Sequence, residues 1–367
     1  AISNLFGIGG ASIIAASLGK RDMERARQTS AVSFWAGLGS ACLFSLIFFM
    51  LASPILRLSG ATDETYAITY EYAKWVVVLG SAAAASFGVS MGGLINIMLD
   101  VFLVLPHFAG LGAAGAGIAT AVSNFCAAIY FMLYIFIKRK STVISINPRL
   151  LKYASLHIKE ILKIGFPSAV QYALTVVAVA AQAKFVSRYV TEAVAGLGIV
   201  KKLDQLPLYF SIGVANGLLP LLAYNNAAGN HERRKNAFRF GCIVSFGFAF
   251  LCLIVYEIFA EPLAGIFIDD RLTAEYAASF LRIMVTAMPL MAVCYPMIVQ
   301  FQAIGRLKES LVCSVARKGV LDIPLLFILD RLWPLYGCMA VQPVVDAISL
   351  VIALVFYFRI NAENRAV

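Results

Sequence analysis

Charged and amide side chains are scarce inside the long apolar runs of this chain, and those present are spaced for handling ions. Asp100 ends the stretch "INIMLD", with Asn96 one helical turn earlier on the same face. A carboxyl beside an amide suits a cation or a proton, either of which neutralises it in low-dielectric surroundings. Lys201, Lys202 and Asp204 stand in "GLGIVKKLDQLPLYF", and Arg317, Lys318 and Asp322 in "ARKGVLDIP". Lys201 and Asp204 are i, i+3, and Lys318 and Asp322 are i, i+4, spacings at which opposite charges neutralise one another. Such pairs serve as switchable gates, or simply let a helix sit in lipid. Gln171, Thr175 and Gln182 form a polar stripe at i, i+4 and i+11, and Gln342 and Asp346 flank Pro343. Each group either lines a cavity or bonds to a neighbouring helix. Tyr172 and Tyr295 offer ring faces to a cation, or pack against lipid and protein. Pro220, followed by Tyr224, Asn225 and Asn226, predicts a structural bend.

The elements that carry these residues follow from composition. Of 367 residues, 61% are hydrophobic and only 14% charged; a soluble domain is nearer 25% charged and could not cover its surface this way. Eleven apolar runs are long enough to cross ~30 Å of hydrocarbon as helices. They are 1–18, 29–56, 65–87, 88–109, 112–137, 163–188, 191–226, 236–260, 273–303, 308–330 and 337–359. A charge at mid-bilayer costs about 2.5–3.5 kcal/mol, so the charged residues named above are expected to face a bundle interior.

Lysine and arginine set the orientation. Nineteen lie in alternate loops on one side, among them Lys20, Arg21, Arg25, Arg27, Arg233, Arg234, Lys235 and Arg306; five (Arg57, Lys184, Arg188, Arg271, Arg331) lie opposite. The richer side is predicted cytoplasmic, and the C-terminus with it. The net charge of +10 is spread over short loops rather than one stripe, which argues against nucleic acid. The seven cysteines lie in apolar runs without a CxxC pair, and His107, His157 and His231 are far apart, so neither disulfides nor a metal site is expected. The glycines of "GLGAAGAG", 110–117, predict close helix packing.

Two polar clusters, "SLGKRDMERARQT" at 17–29 and "AGNHERRKNAF" at 228–238, lie in register at an offset of 208. Gly9 then pairs with Gly217, Glu24 with Glu232, Arg25 with Arg233, Pro54 with Pro262, Thr65 with Thr273 and Lys74 with Arg282. This predicts an internal repeat of six helices about an axis along the membrane normal. Residues 1–150 form the N-terminal bundle and 151–367 the C-terminal one, which opens on a basic amphipathic segment, 151–165, expected at the interface against anionic headgroups. The repeat has no first-half partner for the helix at 163–188, so one helix and part of the next are expected upstream. Lys74 to Asp100 is 26 residues, whereas Arg282 to Asp322 is 40. A cytoplasmic loop near residue 88 is either absent or naturally short. With that gap allowed, Asp100 and Asp322 are repeat partners.

With these landmarks placed, the chain resembles the multidrug and toxic compound extrusion (MATE) transporters, in particular their MepA-like branch. The matching stretches are "GIGGASIIAASLGKRDMERA", "INIMLD", "GLGAAGAGIATAVS" and "GFPSAVQ", then "GVANGLLPLLAYNNAAG", "FQAIGRLKESLVCSVARKG", "DIPLLFIL" and "AVQPVVDAIS". The resemblance implies an all-α membrane protein of two six-helix bundles around a central cavity. It implies a plasma-membrane antiporter, monomeric, exporting lipophilic and often cationic drugs against sodium or protons. The acid on the family's first helix would precede this chain, and the seventh-helix glutamate of NorM-like members would fall near Thr175, which is no acid. The coupling ion therefore stays open between H+ and Na+. No other cofactor is expected.

Two rival classes are weighed. A lipid-linked oligosaccharide flippase shares the architecture and would use a cationic cavity, for which Lys201, Lys202, Arg317 and Lys318 are candidates. An intramembrane enzyme would need a nucleophile or metal constellation, and none is found. The absence of a GxxxxGK[ST] loop in this sequence argues against ATP as driver.

Overall fold

The computed structural model describes residues 2–54, 66–67, 70, 86–104, 108–138 and 142–363. All its regular elements are helical: α1 (Ile2–Gly19), α2 (Met23–Met50), α3 (Ser86–Val104), α4 (Gly112–Ile137), α5 (Ala154–Val186), α6 (Thr191–Ala227) and α7 (His231–Ile258). There follow α8 (Ala260–Gly265), α9 (Arg271–Val285), α10 (Met288–Ala303), α11 (Leu307–Val315), α12 (Asp322–Leu332) and α13 (Tyr336–Glu363). Six helices among the described residues are long and apolar enough to cross a membrane, or seven if the bent pair α9 and α10 is one span. At 1.5 Å per residue, the 28-residue helices α2, α7 and α13 exceed ~30 Å of hydrocarbon.

The described residues fall into two compact units, which hold Ile2–Gly10 with Met23–Ile161, and Ala11–Asp22 with Leu162 onward. The division between Ile161 and Leu162 differs from the expected 150/151, and the later half of α1 groups with the C-terminal residues. The expected interface segment 151–165 is not a separate element. A 3-10 turn, Pro148–Tyr153, is capped by Asn147, whose side chain accepts from Arg149 N, and α5 then runs unbroken from Ala154. Its polar face is partly bonded to α2: Glu160 pairs with Arg25 at 2.6 Å, and His157 Nε2 meets Gln28 Oε1 at 2.9 Å.

The repeat is visible in the backbone. Helices α2 and α7 both have 28 residues and begin 208 positions apart. Each is preceded by the same turn. Arg21 (φ 61) and Gly229 (φ 75) are both left-handed, and Asp22 N and Asn230 N each close on a carbonyl five residues back at 2.8 Å. Gly305 (φ 78) ends α10 likewise, with Arg306 N on Phe301 O at 2.8 Å. This is the Schellman ending, which caps free carbonyls at the helix C-terminus. Thr65, Lys74, Arg57, His107, Arg365 and most of run 65–87 lie outside the described residues; residue 88, where a reversal is expected, lies within α3, which is already helical from Ser86.

Two expected single spans are interrupted. Run 273–303 bends by 45° between α9 and α10, where Pro289 opens the second helix. Run 308–330 breaks between α11 and α12 within a π turn, Ala316–Val320. In the C-terminal unit α6 packs on α7, α9 and α10, and α13 closes over α10 and α12. Phe280, Leu281, Met284, Met288 and Met339 fill the core. In the "GLGAAGAG" stretch the roles divide. Gly110 (φ 62) and Gly112 (φ 52) make the turn, and Gly115 makes the close packing, since a Cβ there would stand 2.5 Å from Leu103 O.

Candidate functional site

Within the C-terminal unit the break in the α11–α12 span assembles a charged network. Lys318 (φ −132, ψ 112) and Gly319 (φ 115, ψ −66) leave helical geometry, so the chain kinks and Lys318 swings towards α13. Its Nζ donates to Gln342 Oε1 at 2.7 Å and lies 3.8 Å from Asp322 Oδ1. The freed N–H of Gly319 donates to Asp322 Oδ2 at 2.9 Å, so the first residue of α12 satisfies the broken turn. Gln342 Nε2 donates to Asp346 Oδ2 at 2.7 Å, and Arg317 Nε donates to Asp346 Oδ1 at 2.8 Å. Arg317 and Asp346 are 1% and 0% exposed. The Arg317 guanidinium stacks over Tyr295 at 4.4 Å, so this tyrosine does face a cation, the protein's own.

A cleft of about 350 Å³ opens beside this network, lined by Lys201, Lys318, Asp322, Gln182 and Gln342 among apolar neighbours. Its water-admitting part is small, with room for about one water molecule. A drug-sized ligand needs about 300–1,000 Å³ of true pocket. The space beside the network is therefore far smaller than a drug-sized ligand needs.

Sequence spacing pairs Lys201 with Asp204, and here the structure differs. Among the described residues they form no ion pair, since Lys201 faces the cleft and Lys318 while Asp204 lies half-buried on the next turn. Lys202 is exposed. The polar stripe on α5 also divides: Gln182 lines the cleft and donates to Cys338 O at 2.7 Å, whereas Thr175 only bonds back to Gln171 O at 2.8 Å. Gln171 is buried with Nε2 unpartnered, and Tyr172 is half-buried. Helix α6 stays helical through Pro220, and Asn225 Nδ2 bonds to Leu221 O at 2.7 Å.

The N-terminal unit holds the counterpart. At a constant offset of 222 (322 against 100), Asn96, Asp100, Thr120 and Asn124 correspond to Lys318, Asp322, Gln342 and Asp346. Helix α3 is unbroken there. With its amide oriented to suit its neighbours, Asn96 donates to Asp100 Oδ2 at 3.3 Å and accepts from Thr120 N at 3.2 Å. Asp100 Oδ1 is buried with no hydrogen-bond partner among the described residues. One repeat thus carries a lone carboxylate among neutral amides and a hydroxyl, and the other a neutralised network. Sequence reading reached Asp100, Asp322 and the Gln342–Asp346 pair. It missed the Arg317–Asp346 pair, 29 residues apart, and the alignment of Thr120 with Gln342 that signals the shared design.

Comparison with known proteins agrees with this architecture. The family described as MatE matches residues 1–94 and 167–328, well over half of the chain. The Multidrug export protein MepA of Staphylococcus aureus (strain MRSA252) is 27% identical over 375 aligned positions, covering 97% of this chain and 82% of that protein. Its namesake in Staphylococcus saprophyticus is 26% identical, with the same coverage. Among solved structures, the outward-facing conformation of a multidrug resistance MATE family transporter of the MOP superfamily superposes with a TM-score of 0.88 at 20% identity, covering 98% of this chain and 84% of that one. A MOP superfamily transporter from Pyrococcus furiosus gives 0.87 at 20% identity over 98% and 84%. These last two similarities concern the fold. With the sequence family, the helical repeat and the apolar spans in agreement, the chain belongs to the MatE family of multi-pass membrane transporters.

Proposed function

We propose that the chain exports lipophilic, cationic compounds as a monomeric secondary-active antiporter of the plasma membrane, with its C-terminus cytoplasmic, in exchange for protons or sodium ions. Efflux of multiple drugs is supported by the similarity to the staphylococcal Multidrug export proteins over 97% of the chain. The observation that carries the ion coupling is the Asp100 carboxylate, with one buried oxygen unpartnered beside Asn96 and Thr120. A buried anion without a counter-charge is costly, and a proton or a cation relieves it. An ion that binds one conformation better than the other shifts the equilibrium between them, and cargo that competes for the same acid converts that shift into exchange.

The test is transport in proteoliposomes preloaded with ethidium, under separately imposed proton and sodium gradients. Gradient-driven dye movement that disappears in Asp100→Asn supports the antiporter. Dye movement unaffected by either gradient, or unchanged in Asp100→Asn, refutes it. The flippase reading rests on an excess of cavity cations, and this support weakens where Arg317 is matched by Asp346 and Lys318 by Asp322 and Gln342.

A further inference from the structure

The network in the C-terminal unit has the donors of a cation site, but a cation is already in it. An amide carbonyl (Gln342 Oε1) and a carboxylate oxygen (Asp322 Oδ1) converge on one point, and hard oxygen donors of this kind suit a metal ion such as sodium. The point is held by Lys318 Nζ. The backbone puts it there, because the extended φ/ψ of Lys318 and the left-handed φ of Gly319 break the helix at that residue. The remaining carboxylate oxygens are spoken for: Asp322 Oδ2 accepts from Gly319 N, and both Asp346 oxygens accept, from Arg317 and from Gln342. The free space beside them has room for about one water.

Charge balance points the same way. Lys201, Arg317 and Lys318 are matched in number by Asp204, Asp322 and Asp346, carried on α6, the α11–α12 break and α13. The other titratable groups facing this interior are Cys294 and Tyr295 of α10, the latter under Arg317, and Tyr256 of α7, whose hydroxyl donates to Leu203 O at 3.0 Å. None of these is a further carboxylate. A sodium ion added here would be an uncompensated charge in low dielectric.

We propose that the Lys318 ammonium is a tethered counter-cation standing where a coupling metal ion would bind, so that the C-terminal unit takes no sodium at Asp322. The inference rests on the antiport reading for its role in transport, but its sodium exclusion stands alone. In the other repeat the position of Lys318 is taken by the neutral Asn96, which leaves Asp100 without such a partner.

Binding of radioactive sodium to the purified full chain in nanodiscs tests this directly. Wild type is expected to bind no sodium that depends on Asp322. Lys318→Met is expected to gain saturable binding at least about tenfold above wild type, lost again in Lys318→Met/Asp322→Asn. If Lys318→Met does not fold, Lys318→Gln, which keeps an amide near Gln342 without the charge, takes its place. Saturable wild-type binding that Asp322→Asn abolishes, or a folded Lys318 variant without sodium gain, overturns the proposal. Failure of the antiport reading would show separately, as ethidium export indifferent to any gradient while sodium binding behaves as stated.

Discussion

Removing the Asp346 carboxylate isolates the strongest electrostatic bond of the C-terminal unit. Arg317 and Asp346 are 1% and 0% exposed, joined at 2.8 Å, and Arg317 has no second carboxylate in contact among the described residues. A guanidinium does not give up its proton at accessible pH, so Asp346→Ala leaves a full buried charge that the Tyr295 ring offsets in part. Breaking one side of such a pair costs about 3–5 kcal/mol, a large part of the roughly 5–15 kcal/mol that holds a domain together. For a unit of this size that lowers Tm by on the order of 10 °C. Replacing both partners with apolar groups, Arg317→Met/Asp346→Leu, removes the stranded charge and restores most of the loss. Thermal unfolding of the single and double variants measures the coupling. A Tm change below about 2 °C for Asp346→Ala, or a double variant as unstable as the summed single losses, would show that the pair is not what the geometry implies.

Gly319→Ala forces a side chain onto φ 115 and against Leu174 at 2.9 Å, and is expected to cost about 1–3 kcal/mol in thermal unfolding; a neutral effect would remove the helix break as a fixed feature. Outside the spans, Tyr189 donates to Asp330 Oδ1 at 2.7 Å, and that bond raises the phenol's pKa above its ordinary 10.0. The stability it contributes is present below that value and lost as pH rises through the raised one, so the Tm gap between wild type and Tyr189→Phe is expected to close in alkali. The Asp270 carboxylate caps α9 by accepting from Thr273 N at 2.8 Å and from its hydroxyl at 2.5 Å, which lowers its pKa from 3.8. Here the sign reverses: the stability lost in Asp270→Asn is seen above about pH 3.8 and vanishes as pH falls through the lowered value.

The helices and their repeat were legible in the sequence because hydropathy and turn chemistry are local. A left-handed residue after a mostly apolar helix, then a charged first turn, marks the hairpin at both Arg21 and Gly229. The site was legible only where its partners are close in sequence. Lys318–Asp322 was found by an i, i+4 rule that presumes a helix, yet the helix is broken between them, and the pair survives because Asp322 turns back to the Gly319 amide. Lys201 and Asp204 satisfy the same kind of rule without coming within ion-pair distance, and Lys201 lines the cleft shared with Lys318 and Asp322. Arg317–Asp346 needs two helices folded together, which no local pattern reports. Glycine at 319 was the one sequence cue to the break, inside a run whose hydropathy gave no reason to stop.

The central claim, that export is driven through the lone carboxylate of the N-terminal unit, is tested most directly by comparing two activities of Asp100→Asn in the same proteoliposomes. Uphill movement driven by an ion gradient is expected to be lost, and exchange of labelled for unlabelled ethidium without any gradient to weaken with it, since cargo and ion use the same acid. Uphill movement at the wild-type rate in Asp100→Asn would contradict the account.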